Sequence, residues 1–592
     1  MSRQFRLMRL QGTASVLALS TIAVIGTSAM QPAMALDGIY GGGSSLVSLA
    51  MRQIMDCYGT PLDPAANPPI TCPFSPDVQG QYAAVGSGNG FRGFITNDPH
   101  QLFLGSPAST TGNIAMPAKP PVYVDETGGP LYSYPYPNID FGASDSPLSS
   151  ASAPTTVSFV TFSPTSNWVT TTNTFSPVTA TGSTTVTYNT AAFGPPIQLP
   201  LIEAPVAIAV NTGGMTVKSA STASPAIAGG AIQLTTAQIC AIFAGEVTDW
   251  NSTASITFIN SAGTQATQAF NAANIGQALG TSNANTPVAY SSTSLPIKVV
   301  YRSDSSGTSF IITNYLKSVC PQLGNATNKY AQIFTTGLPS NSFGQLITNI
   351  NTAFSGAGRT TNWIGTDGSQ NVAQAVNNSS GGSTYDGRLG YLSADFTQPY
   401  LSSSVASYAP LSASVQNEAL RVTGSGTYLP ASSSGGSNAP TFIPPTPAGA
   451  DIAFAGLTVP AAGGTHNDWN IYAQTWPTTT TSGGVNISGL SKLGIPTAAG
   501  AYPIVGTAFA ALYSCYRPDS STTTVRVDRI KGFLDWYYQP NDPLTGTTLA
   551  KDILAGNGFG ALEPSLRAAA QAKAATIAAA NSAGTCVSAS GG

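Results

Sequence analysis

The stretch Val300-Tyr301-Arg302-Ser303-Asp304-Ser305-Ser306-Gly307-Thr308-Ser309-Phe310 constrains this chain more than any other. It reads as a strand end (Ile297 to Tyr301), a tight turn, and a helix through Phe310, Ile311, Ile312, Tyr315 and Leu316. Ser306, Gly307 and Thr308 fall where the helix begins, so their backbone N–H groups lack intrahelical partners. Two hydroxyls and a glycine at a helix start form a compact cradle for an oxyanion, which the helix dipole also favours. Arg302 can add a planar two-donor contact to the same anion. The G-x-x-x-x-G-K-[ST] spacing of a nucleotide P-loop is absent. The same residues also fit an ordinary capped helix, and the neighbouring stretches decide between the two.

Arg3, Arg6 and Arg9, an apolar run from Val16 to Ile25 and Ala33-Met34-Ala35 read as a secretory signal peptide cut after Ala35. No later apolar run is long enough to span a bilayer, so the mature protein is expected to be soluble, in the periplasm or secreted. Removing residues 1–35 takes away three arginines and no acid, leaving 19 Lys+Arg against 25 Asp+Glu, a net −6. That balance argues against a nucleic-acid partner, which needs a basic footprint. Charged residues make up only 8% of the chain, against roughly 25% in an ordinary globular domain. Hydroxyls and amides must therefore supply much of the polar surface. Six cysteines in an exported chain suggest three disulfides, with fifteen connectivities open. No CxxC or Cys/His cluster points to a metal, and no cofactor is expected.

Three further stretches repeat the strand–turn–helix theme. Gly41-Gly42-Gly43-Ser44-Ser45 follows a short strand from Leu36 and precedes Leu46, Leu49, Ala50, Ile54 and Tyr58 at helical spacing. Tyr82 to Val85 leads into Gly86-Ser87-Gly88-Asn89-Gly90 and then Phe91, Phe94 and Ile95. Ile139-Asp140-Phe141-Gly142-Ala143-Ser144-Asp145-Ser146-Pro147-Leu148 places an acid, Asp145, among small residues at a strand-to-turn junction. Such starts suggest one site built from several loops at the carboxyl ends of strands. Residues 105–138 and 150–195 look inserted, and 424–449 reads as a Ser/Gly/Pro loop. Leu201–Asn211 and Gly387–Leu392 read as strands, Leu234–Trp250 as a Thr-capped helix, Tyr502–Gly506 as a strand, and Val525–Tyr538 and Pro564–Ala580 as helices.

Taken together, RSDSSGTSF, IDFGASDSPLS, GSGNGF and GGGSSL resemble, in order, the periplasmic phosphate-binding proteins of ABC transporters. LTTAQICAIFAGEVTDW, the cysteine after RSDSSGTSF, GRLGYLSADF and AYPIVG are most similar to the DING branch of that family. The resemblance covers most of the mature chain as islands between insertions. It implies an α/β, two-lobe periplasmic-binding-protein fold of type 2 with a ligand cleft between the lobes. Residues 36–207 and 393–592 would form one lobe and 208–392 the other, with crossings near Leu201–Asn211 and Gly387–Leu392. It also implies a phosphate site of Ser45, Leu46 (through its backbone N–H), Ser87, Asp145, Arg302, Ser306, Gly307 and Thr308. The family's first turn usually reads G-A-T-F-P or G-A-T-L-P, whereas this chain has Ser44-Ser45-Leu46-Val47. The family's cysteines imply the pairs 240–320 and 515–586, leaving Cys57 with Cys72.

The function so implied is extracytoplasmic binding of inorganic phosphate by a monomer that delivers it to an ABC permease, with no catalytic residues. Asp145 would accept the proton that hydrogen phosphate carries and would repel sulfate, which has none to give. Two rivals stand beside it: a secreted DING-type phosphatase acting on phosphate esters, and a surface or matrix protein that keeps the fold. Hydrolysis wants a metal pair or an activated nucleophile, and no carboxylate/His cluster in the sequence offers one.

Overall fold

The computed structural model describes residues 38–58, 79–103, 138–148, 178–215, 232–259, 290–377, 387–398, 409–417, 442–518, 525–539 and 550–592, a few isolated positions excepted, together with short strands between 112 and 175 and between 264 and 276. The expected signal peptide, Cys72 and most of the Ser/Gly/Pro loop lie outside these residues.

In chain order, the elements that position the site begin with β1 (Gly38–Gly43), α1 (Ser48–Cys57), β2 (Gln79–Ala83), α2 (Ser87–Thr96) and β3 (Phe141–Ser144). Next come β4 (Ile197–Pro200), β5 (Ala204–Val210), α3 (Thr236–Phe243), β6 (Lys298–Arg302), α4 (Gly307–Val319), β7 (Ile364–Thr366), α5 (Gly368–Asn377) and β8 (Arg388–Ser393). The series ends with β9 (Leu411–Ser412), α6 (Pro447–Phe454), β10 (Val505–Gly506), β11 (Phe509–Leu512), α7 (Val525–Tyr538) and α8 (Pro564–Ala574).

Two mixed sheets result. The first has the order β4-β11-β3-β1-β2, with β1 parallel to both β2 and β3. The second has the order β7-β6-β8-β5-β9, with β6 parallel to β7 and β8, and with β10 pairing to β5. β5 is buried along its whole length, as its near-continuous apolar sequence requires of a strand covered on both faces. Capping fixes where the helices start. Thr235 and Gln238 exchange side-chain and backbone hydrogen bonds at the head of α3, and Ser306 Oγ accepts the Ser309 N–H at the head of α4.

The chain passes from the first sheet to the second through Leu201–Glu203 and returns through Thr507–Ala508. Here Leu201 N–H donates to Ala508 O at 2.7 Å and Val206 N–H to Ile504 O at 2.9 Å. The expected second crossing at Gly387–Leu392 is not one: that stretch is β8, a strand inside the second sheet between β6 and β5. An apolar strand reads alike whether it is central or crosses between sheets, so the sequence pattern does not separate the two. Tyr472 braces the return segment, with its hydroxyl accepting from Thr507 N–H at 2.9 Å and donating to Thr507 O at 3.2 Å.

The C-terminal helix is shorter than expected. α8 stops at Ala574, and Ala578–Ala579 pairs in parallel with Cys515–Tyr516. Alanine favours helix intrinsically, but strand pairing beside the Cys515–Cys586 disulfide overrides that preference. Within the expected insertions, Thr156–Ser163 and Val178–Thr187 pair as antiparallel strands with Gly112–Ile114 on the outer edge. The implied bridges Cys240–Cys320 and Cys515–Cys586 are both formed. Cys57 is also disulfide-bonded, and its partner lies outside the described residues.

Two buried carboxyls carry consequences for stability. Glu203, in the first crossing, has Oε1 accepting Glu563 N–H at 2.7 Å. Burial, and then the neighbouring Asp451, push it up to about 9. Asp395, just past β8, is fully buried, and burial pushes it up to about 8 against the pull of Ser393 and nearby backbone N–H groups. Acids raised in the folded state give stability that is whole below their unfolded values and is lost as pH rises towards the folded ones. Unfolding free energy should therefore decline from pH 4 to pH 9. Asp395→Asn should remove part of that decline, on the order of a few kcal/mol between pH 4 and pH 8; parallel profiles for the two proteins in urea titrations would contradict this. The Cys240–Cys320 bridge closes a loop with a sequence separation of 80. Replacing both cysteines by alanine should cost about 2–5 kcal/mol in the same assay.

Candidate functional site

The carboxyl ends of parallel strands from both sheets meet at one place. From the first sheet come Ser44 after β1, Ser87 after β2 at the start of α2, and Asp145 after β3. From the second come Arg302 at the end of β6 and Ser306, Gly307 and Thr308 at the start of α4. All of these polar side chains are buried, Arg302 with only 2% exposure.

Asp145 sits at the centre. Its Oδ1 accepts a short hydrogen bond from the Ser44 hydroxyl. Its Oδ2 lies 3.5 Å from both Ser87 Oγ and Thr308 Oγ1. Ser87 Oγ accepts the backbone N–H of Gly307 at 3.1 Å and of Asp145 at 3.3 Å, so one serine of the first sheet ties the start of α4 to the end of β3. Burial pushes Asp145 up to about 7, against the pull of the Ser44 bond, the Arg302 charge and the Ser87 and Thr308 bonds. Asp145 is not a helix cap. Its carboxyl bonds only side chains gathered from other loops.

Arg302 is held by a fork. Its Nε donates to Asp304 Oδ1 at 2.5 Å and its Nη2 to Asp304 Oδ2, while Nη1 points at Thr308 Oγ1 at 3.4 Å. Its backbone N–H donates to the Tyr391 hydroxyl at 3.1 Å, which also bonds Ser309 Oγ at 2.7 Å. The bend after Arg302 turns the Asp304 side chain back onto the guanidinium.

Two glycines set the approach of the loops. A Cβ on Gly307 would lie 2.5 Å from Asp145 Cβ and 2.7 Å from Ser87 Oγ. Gly43 holds φ at +138°, and a Cβ there would lie 2.0 Å from Ala143 O.

Of the implied ligands, Ser87, Asp145, Arg302, Gly307 and Thr308 are brought together directly. Ser306 contributes through the helix: its hydroxyl is committed to the cap, and its N–H donates to Asn341 O at 2.9 Å. At the first turn the side chain that reaches Asp145 is that of Ser44, not Ser45. The Leu46 N–H donates to Ser44 Oγ at 3.1 Å, while Ser45 Oγ is buried with no hydrogen-bond partner. An orphaned buried hydroxyl beside this cluster fits a site that receives a polar ligand. Strand register separates the two serines: Gly43 pairs with Ala143, which brings Ser44 level with the end of β3.

Residues 175–446 match the family model of the PBP superfamily domain. Together with the two mixed sheets, this match supports the expected α/β binding-protein fold over those residues. Among curated proteins, the chain is similar to alkaline phosphatase L of Pseudomonas aeruginosa, with 27% identity over 220 residues. That match covers 36% of this chain and 39% of the relative, so the chain spans about two-fifths of that protein's length. Among solved structures, it is similar to a high-affinity periplasmic phosphate-binding protein (PfluDING) bound with phosphate, at 21% identity and a TM-score of 0.46, covering 90% of this chain and 92% of that one. A phosphate-binding protein from Stenotrophomonas maltophilia gives 19% identity and a TM-score of 0.47, covering 93% and 98%.

The Gly307 packing yields a direct test. Gly307→Ala should wedge α4 away from Asp145 and Ser87 and separate the two sheets at the site. Hydrogen exchange at the head of α4 should then rise while the strands of the second sheet stay protected. Unchanged protection at residues 306–310 would show that the contact is not tight.

Proposed function

We propose that the chain binds inorganic phosphate outside the cytoplasm, in a cleft between two lobes, and hands it to an ABC permease. The observation that carries this reading is the buried Asp145 carboxyl. It sits beside a guanidinium, three hydroxyls and the open end of a helix, at a pH midpoint of about 7. Hydroxyls, backbone amides and one arginine suit an oxyanion. A carboxyl among them suits an oxyanion that still carries a proton, because it can accept that proton. Ser45, Ser87, Asp145, Arg302, Gly307 and Thr308 form the ligand set, with Ser44, Leu46, Asp304 and Ser306 behind them. The strand paths support lobes of roughly 38–200 with 509–592, and 204–505, closing about the two crossing segments. The superfamily match and the disulfides support an extracytoplasmic location. Among the described residues, no helix is long and apolar enough to cross a membrane.

A second reading, a phosphatase, is favoured by the partial similarity to alkaline phosphatase L. Among the described residues no group of three or more His, Cys, Asp or Glu is placed to hold a metal ion, and no histidine adjoins the hydroxyls at Asp145. Hydrolysis there would need one of those hydroxyls to be activated by Asp145 acting as the base.

Calorimetry with phosphate, arsenate and sulfate separates these readings when run beside turnover of a chromogenic phosphate ester. The binding reading expects phosphate and arsenate uptake, little sulfate uptake at neutral pH, and no turnover. Steady ester hydrolysis lost in Asp145→Asn would favour the enzyme. Asp145→Asn should lower phosphate affinity moderately and the phosphate-to-sulfate ratio much further, because an amide can donate to sulfate where a carboxylate repels it. An unchanged ratio would remove Asp145 from selectivity. Arg302→Ala should cost binding about 1.5–3 kcal/mol or more, and unchanged affinity in the folded variant would remove Arg302 from the site.

A further inference from the structure

The hydroxyl of Ser44 bonds the Asp145 carboxyl, and the phosphate reading gives it no part. Its surroundings leave it one task. The Ser44 backbone is pinned from two sides, its N–H donating to Ala143 O at 2.9 Å and its carbonyl accepting the Tyr82 hydroxyl at 2.7 Å. The side chain is fully buried. Its Oγ already accepts the Leu46 N–H at 3.1 Å, so its single proton remains to be placed, and it is directed at Asp145 Oδ1.

We propose that Ser44 is a positioning residue of the anion site: it occupies Oδ1 of Asp145 and leaves Oδ2 as the atom that accepts the ligand's proton. The two oxygens are unequally engaged. Oδ1 holds a short bond from a rigid donor, whereas Oδ2 has only the Ser87 and Thr308 hydroxyls at 3.5 Å, the outer limit of a hydrogen bond. Those two hydroxyls can turn to a ligand oxygen placed between them and Oδ2, while Ser44 cannot. A donor fixed on Oδ1 also favours the ionised carboxyl, which is the form able to accept a proton. The titratable and charged groups acting on Asp145 are Arg302, itself forked to Asp304, and the buried Tyr472. Arg302 favours the carboxylate, and Tyr472 stays neutral because burial raises it. Ser44 thus aids ionisation alongside Arg302, Ser87 and Thr308, and acts on the opposite oxygen from the ligand.

This assignment rests on the phosphate reading only for the identity of the ligand, and its test is made first without one. Aspartate carboxyls labelled with carbon-13 are titrated by NMR in the unliganded full chain, with Asp145→Asn identifying the resonance. In Ser44→Ala the Asp145 inflection should move up by about one pH unit or more, as expected for loss of a hydrogen bond to a charged acceptor. Phosphate titrations of both proteins at pH 6 and pH 8 should then show affinity falling about tenfold at pH 6, where the raised midpoint depletes the ionised carboxyl, and only about twofold at pH 8, where much of it is ionised in either protein. Ser44→Thr, which keeps the hydroxyl, should restore both readings towards wild type. An Asp145 inflection unmoved in Ser44→Ala overturns the assignment whatever the protein binds. An inflection that moves in a protein taking up no phosphate supports the Ser44 assignment and overturns phosphate as the ligand.

Discussion

A fully desolvated guanidinium has to be answered by an anion, and in this chain Asp304 provides that answer. The fork between Arg302 and Asp304 neutralises the cation and fixes its plane. A third nitrogen is left facing Thr308 and the carboxyl beyond it. Removing one partner of such a buried pair typically costs about 3–5 kcal/mol, because the other charge is then stranded. The turn between β6 and α4 therefore keeps one geometry. Everything the first sheet brings to the site, Ser44, Ser87 and Asp145, docks against that fixed turn.

The two sheets are joined where the crossing segments run side by side. Their backbone bonds pair Leu201 with Ala508 and Val206 with Ile504. Tyr472 clamps Thr507 through both its N–H and its carbonyl, and stacks edge-on against Phe310 of α4. The crossing is thereby linked by direct packing to the helix whose first turn meets Asp145 and Ser87. That linkage is physical contact between named side chains, running from Thr507 through Tyr472 to Phe310.

Much of this was legible in the sequence because local chemistry and tertiary role agree. Ser306 before an apolar helical pattern is both a cap and the start of the cradle. The threonine cap expected for the helix after Leu234 is Thr235, which the structure completes as a capping box with Gln238. The strand ends before Ser87 and Asp145 were readable from glycine and serine turns. What escaped was information held in pairing. Ser44 and Ser45 are equivalent as residue types, and only the register of Gly43 with Ala143 tells which faces Asp145. The apolar β8 could not be told from a crossing strand by composition. The alanines after Ala574 read as helix until Cys515–Tyr516 recruits them as a strand.

The low charge content of the chain takes on a meaning at this site. Arg302 and Asp304 cancel, and Asp145 lies near its midpoint at neutral pH, so the cluster offers little net positive charge to an incoming anion. Attraction must come from directed dipoles instead: hydroxyls from three loops and the dipole of α4 at its head. Dipoles of this kind reward an anion only when its oxygens fall where the donors point. Selection by shape and proton content thus replaces selection by charge alone. A carboxyl poised in the middle sharpens that choice, since a ligand bearing a proton relieves its burial and a ligand without one adds to it.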